Sequence, residues 1–94
     1  MNVFKVDLST SAKRDLLKVP LHIAHKLQQW IDNIEVNGLI EAKKISGYHD
    51  EPLKGKRAGQ RSIRLSKAYR AIYIIDHEGK IAIIKVLEVN KHDY

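Results

Sequence analysis

An α+β fold, with an N-terminal strand, two helices and then a three-stranded antiparallel meander forming one twisted sheet packed on the helices, is predicted by three features of the chain. Apolar residues keep a 3.6-residue period through the first half. β-branched and aromatic residues cluster in short runs through the second half, separated by turn residues. The 94 residues, 44% of them hydrophobic, suffice for one modest core and leave no room for a second module, so residues 1–94 are expected to form a single domain.

Met1 to Leu8 alternates and reads as the first strand, with Val3 and Phe4 on opposite faces and likewise Lys5 and Val6. Ser9-Thr10-Ser11 offers hydroxyl caps for a helix from about Ala12 to Lys18, with Leu16 and Leu17 as its apolar contacts. Pro20 closes that helix and suits the first turn of the next. The second helix carries Ile23, Ala24, Leu27, Trp30, Ile31 and Ile34 on one face and His22, His25, Lys26, Gln29 and Asn33 on the other. Asn37-Gly38 supplies its stop, and Leu39 to Ile45 has the pattern of a further helical turn. Gly47, Pro52, Gly55 and Gly59 then punctuate a loop-rich stretch. Strands are expected over Arg61 to Leu65, Tyr69 to Ile75 and Lys80 to Val89, with Asp76-His77-Glu78-Gly79 as the turn between the last two. Within the first of these, Arg61, Ile63 and Leu65 share one face while Ser62, Arg64 and Ser66 share the other.

The formal charge of +6 is unevenly placed. Lys54, Lys56, Arg57, Arg61, Arg64, Lys67 and Arg70 crowd one segment, and no acidic residue occurs from Pro52 to Ile75. The rest of the chain holds ten basic and eleven acidic residues and is close to neutral. A solvated surface is normally mixed in sign, so this segment marks a face for a polyanion, RNA above all. The absence of cysteine excludes disulfides, thiolate nucleophiles and sulfur-rich zinc sites and fits a reducing cytosol. No basic stretch leading into an apolar core opens the chain, and the longest uncharged apolar run, Ala71 to Ile75, is far too short for a bilayer. A cytoplasmic protein without a membrane partner is expected.

Most enzyme classes lack their motifs. There is no phosphate-binding P-loop, no dinucleotide-binding glycine turn and no nucleophile elbow. His22 and His25 stand three apart on the polar face of the second helix with no third ligand near in sequence, so no metal site is expected there; His77 reads as a surface turn residue. RNA cleavage without a metal needs a base for the 2′-hydroxyl, fixed cations for the charge on the phosphorane and an acid for the 5′ oxygen. The basic segment supplies cations. The last strand leads towards that segment and into Asn90-Lys91-His92-Asp93-Tyr94, where His92 can titrate near neutral pH and Tyr94 can orient or stack on a base.

Leu53-Lys54-Gly55, Ser62-Ile63-Arg64 and Tyr69-Arg70-Ala71-Ile72-Tyr73 stand in an order and spacing that resembles the RelE/ParE superfamily of bacterial toxins, most closely its RelE and HigB-like branch, and the resemblance spans essentially the whole chain. It implies a RelE-like toxin of a type II toxin-antitoxin system: a ribosome-dependent endoribonuclease cutting messenger RNA, needing no cofactor and neutralised by a cognate antitoxin, through which it would meet operator DNA. On that resemblance Lys54, Arg64 and Arg70 match the basic positions of the three elements, and His92 and Tyr94 occupy the region of the terminal catalytic residues. Many HigB-like chains end Asp-Tyr-His directly after the last strand, whereas here the order is His92-Asp93-Tyr94. Arg70 has a second reading as a brace for the sheet. The expected catalytic set is Lys54, Arg61, Arg64, His92 and Tyr94, and the expected RNA contacts are Lys56, Arg57, Lys67, Arg70 and Lys91. Two rival functions share the fold: a ParE-like inhibitor of gyrase, and an inactive toxin serving as corepressor with its antitoxin.

Overall fold

The computed structural model describes residues 3–91. The elements in chain order are β1 (Val3–Leu8), α1 (Thr10–Leu16), α2 (Leu21–Asn37), α3 (Leu39–Lys43), β2 (Glu51–Pro52), β3 (Arg61–Arg64), β4 (Tyr69–Glu78) and β5 (Ile81–Lys91). Single 3₁₀ turns at Ser46–Tyr48 and Gly55–Arg57 flank β2. The strands form one mixed sheet in the order β1-β5-β4-β3-β2, in which β1 runs parallel to β5 and every other pair is antiparallel. The expected meander is thus present as β3-β4-β5, extended by β1 on one side and by a two-residue strand, unforeseen in the sequence, on the other.

Ser9 starts α1 as expected. Its hydroxyl accepts from the Ala12 N–H at 3.0 Å and donates to the Leu87 carbonyl at 2.7 Å. One turn later Asp15 Oδ2 accepts from the Val89 N–H at 2.9 Å. Since β1 ends opposite Val86, these two bonds let α1 satisfy β5 where β1 no longer can. The helix starts and ends two residues earlier than expected, so Leu17 lies beyond it at 87% exposed rather than among its apolar contacts. α2 buries Ile23, Leu27, Trp30, Ile31 and Ile34 against the sheet, as its periodicity predicts. Gly38, at φ 86°, ends it against Phe4; a Cβ there would meet that ring at 3.0 Å, so only glycine allows α3 to follow directly.

The core lies between the helices and one face of the sheet. Ile63, Leu65, Ala71, Tyr73, Ile84, Val86 and Val89 come from the strands, and the Trp30 and Tyr73 rings meet at 5.0 Å between centroids. Val86 and Val89 can both face this core because β5 carries an extra residue: Ile72 pairs with Glu88 and Tyr73 with Val86, leaving Leu87 as a bulge. The Asp76-His77-Glu78-Gly79 stretch is not a turn. β4 continues to Glu78, and Gly79-Lys80 alone makes a tight two-residue connection, with Gly79 at φ 60°. Asp76, His77 and Glu78 are exposed because this end of the hairpin runs past the core, so its polar residues were mistaken for a loop.

Candidate functional site

The face of the sheet away from the helices carries Arg64 and Arg70. Ile63 and Leu65 are in the core, so Ser62 and Arg64 point the other way. Arg64 pairs with Arg70 across β3–β4, and Arg70 pairs with Asn90 across β4–β5. Like charges directly opposite each other destabilise a strand pair, so sheet stability does not account for Arg64 facing Arg70.

Beside this pair lies a small open cavity of about 70 Å³ lined by His49, Glu51, Ser62, Arg64, Lys67, Tyr69 and Arg70, among others. The Arg70 Nε and the Asn90 Oδ1 are buried and make no hydrogen bond. The Trp30 Nε1 in the core is a third such atom, and each costs about 1–3 kcal/mol. The Arg70 Nε–H is thus not used in bracing the sheet. A larger, apolar depression of about 290 Å³ at the other end of the sheet is lined by Phe4, Leu39, Ile40, Ile75 and Ala82 and lacks this concentration of charge.

The loop between β2 and β3 lies over the same face. Arg57 reaches past β3 and β4 to Glu88 on β5 at 2.7 Å and to Gln60 at 2.9 Å, and Ile72, which also faces this way, is fully buried. Lys54 and Lys56 are exposed on this loop and do not line the cavity. Lys91, exposed at the end of β5, pairs with the cavity-lining Tyr69, so β5 delivers the chain to the cavity rim. His92 and Tyr94 lie outside the described residues.

Arg61 stands apart. It projects from the core side of β3, opposite Tyr73, and its Nε donates to Asp50 Oδ1 at 2.7 Å; the Tyr73 hydroxyl donates to the other oxygen of the same carboxylate. The Asp50 side chain is 1% exposed. Burial works against the Arg61 charge, but the Asp50 hydrogen bond and charge outweigh it and raise its pKa. Burial, then the bond to Asp50, also pushes the Tyr73 hydroxyl well above its ordinary value. The structure therefore removes Arg61 from the group formed by Arg64, Lys67 and Arg70, because the strand alternation turns its guanidinium towards Asp50.

Of the polar cavity residues, His49, Glu51, Ser62, Ser66 and Tyr69 were not anticipated. Ser62 follows from the alternation that places Arg64. Glu51 and His49 precede the basic segment and have no local pattern of their own. The two histidines of α2 are both exposed, and among the described residues no group of three or more His, Cys, Asp or Glu could hold a metal ion. No helix among the described residues is long and apolar enough to cross a membrane.

No protein-family model and no curated protein sequence matches the chain. Solved structures do. A YoeB/ParE toxin from Agrobacterium tumefaciens is 22% identical, with a TM-score of 0.69 over 95% of this chain and 99% of that one. The RelBE2 toxin–antitoxin complex of Mycobacterium tuberculosis matches at 25% identity and a TM-score of 0.66, over 96% and 99%. The YoeB–YefM complex of Staphylococcus aureus matches at 22% and 0.68, over 96% and 98%. The chain thus has the fold of the RelE/ParE toxins that its sequence motifs resemble, with Arg64, Lys67 and Arg70 lining one cavity of the sheet.

Proposed function

We propose that this protein is the toxin of a type II toxin-antitoxin system and acts as a ribosome-dependent endoribonuclease on messenger RNA. The observation that carries this reading is the convergence of Glu51, Arg64 and Arg70 on one cavity, with the Arg70 Nε unsatisfied. Glu51 is the carboxylate placed to take the proton from a ribose 2′-hydroxyl. The 2′ oxygen attacks the adjacent phosphorus, the bond from phosphorus to the 5′ oxygen breaks, and the products are a 2′,3′-cyclic phosphate and a 5′-hydroxyl. Arg64 and Arg70 face the phosphorane and stabilise its added negative charge. His92, immediately beyond the strand that ends at the cavity rim, is assigned the protonation of the leaving 5′ oxygen, and Tyr94 the stacking of a base. Lys54, Lys56, Lys67 and Lys91 hold the RNA backbone, messenger or ribosomal, and Arg57 does so to the extent that Glu88 leaves it free. A cognate antitoxin is the expected protein partner, since two of the structural neighbours are complexes of that kind.

The test is expression of the wild type, Arg70→Ala and Glu51→Gln in a bacterial host, with messenger RNA 5′ ends mapped within minutes of induction. New cuts clustered inside translated codons, strongly reduced but still measurable in both variants, are expected. Growth arrest without such cuts would replace this reading with a gyrase-directed one.

A further inference from the structure

Glu51 sits on a strand of only two residues, Glu51 opposite Ser62 and Pro52 opposite Arg61, and Pro52 has no N–H to add to the ladder. So short a ladder does not fix a side chain. Just before it, His49 adopts φ 45° and ψ 50°, the one left-handed non-glycine conformation among the described residues. Such a conformation costs energy and persists only where surrounding contacts over-determine it. Those contacts are on either side. Tyr48 is buried, with the Lys26 ammonium 5.0 Å from its ring centroid, and Asp50 is buried with its carboxylate held by Arg61 and Tyr73. Alternate residues therefore point inward, Tyr48 and Asp50, while His49 and Glu51 line the cavity.

We infer that Asp50, Arg61 and Tyr73 are positioning residues, a clasp that sets Glu51 and His49 at the edge of the cationic cavity. Arg61 and Tyr73 are register partners on β3 and β4, so both donors come from the rigid part of the sheet, and the same two strands carry Arg64 and Arg70. The clasp consequently ties the carboxylate of the site to the strands that hold its cations. Its catalytic meaning rests on the role proposed above for Glu51; its mechanical meaning does not.

Tyr73→Phe removes one donor and keeps the ring packed on Trp30, so it tests the clasp without emptying the core. Hydrogen exchange of the His49, Asp50 and Glu51 amides is expected to quicken by about tenfold while that of α2 amides is unchanged. Cleavage of a reporter messenger RNA on purified ribosomes is expected to slow by about tenfold, short of the roughly hundredfold that a 1 Å misplacement of a catalytic group costs. The same substitution in a Glu51→Gln background is expected to have no further effect on cleavage, because a residue acting through Glu51 has nothing left to act through. Unchanged exchange at residues 49–51, or an equal loss of cleavage in both backgrounds, overturns the inference. If the wild type cleaves no RNA, the activity proposed above fails, while the exchange experiment still decides whether the clasp exists.

Discussion

Arg61 and Arg64 stand three residues apart on β3 and point to opposite sides of it. Arg61 meets a buried carboxylate and a tyrosine hydroxyl at the margin of the core. Arg64 meets another arginine across the strand and an open cavity. The same side chain is thus neutralised on one face and left uncompensated on the other. A basic segment is therefore not uniformly available to a polyanion. Arg61 is taken up by Asp50 and Arg57 is shared with Glu88, so the exposed charge of the segment is smaller than its formal charge implies.

The contrast can be broken by substitution. Arg61→Ala leaves the buried Asp50 carboxylate without its ion-pair partner and is expected to cost about 3 kcal/mol of stability, the low end for breaking a buried pair because the guanidinium keeps some contact with water. Denaturant unfolding measures it. Arg64→Ala is expected to change stability by less than about 0.5 kcal/mol and to slow RNA cleavage by about 2–4 kcal/mol of transition-state energy. Since it relieves an arginine–arginine pair, any change in melting temperature is expected to be upward. If the two substitutions had the same profile, the division between the faces would be wrong.

Two smaller effects sharpen the comparison. The folded-state pKa of Tyr73 is raised above its ordinary 10.0, so the folded state holds that proton more tightly than the unfolded chain does. The associated stability is complete below about pH 10 and falls as pH rises beyond it, by up to about 1.4 kcal/mol per pH unit. Tyr73→Phe is expected to flatten that part of the curve of stability against pH. On the open face, Lys56→Ala is expected to reduce the slope of log affinity for single-stranded RNA against log salt by about 0.7. Arg57→Ala is expected to reduce it by less, because Glu88 already neutralises part of that charge.

Much of this arrangement is legible in the sequence. The apolar stripe of α2 specifies one helix because a 3.6-residue period over this length has no competing solution. The alternation through Arg61, Ser62, Ile63 and Arg64 already separates the two arginines; grouping them as catalytic followed their shared charge instead of their opposite faces. What was not legible depends on distant partners. Asp50 is one of two adjacent acids, and nothing near it in sequence reveals that it, and not Glu51, will be buried by Arg61 and Tyr73. Glu51 gains its place through Ser62 on the neighbouring strand. The far end of β4 was missed for a different reason: hairpin pairing, not burial, makes Asp76 to Glu78 a strand, and polar residues carry no apolar alternation to announce it.

The position of β5 bears on how the molecule comes into being. The last strand lies between the first and the fourth, and the Ser9 hydroxyl reaches the Leu87 carbonyl across 78 positions of chain. Contacts so distant in sequence close late, since the intervening loop entropy must be overcome before they contribute. A chain still in synthesis, with everything up to β4 already emerged, has β1 without a neighbour and Arg70 without Asn90 beside it. Arg70 is thus flanked on both sides only once β5 has been made, and the same strand gives β1 its one partner in the sheet.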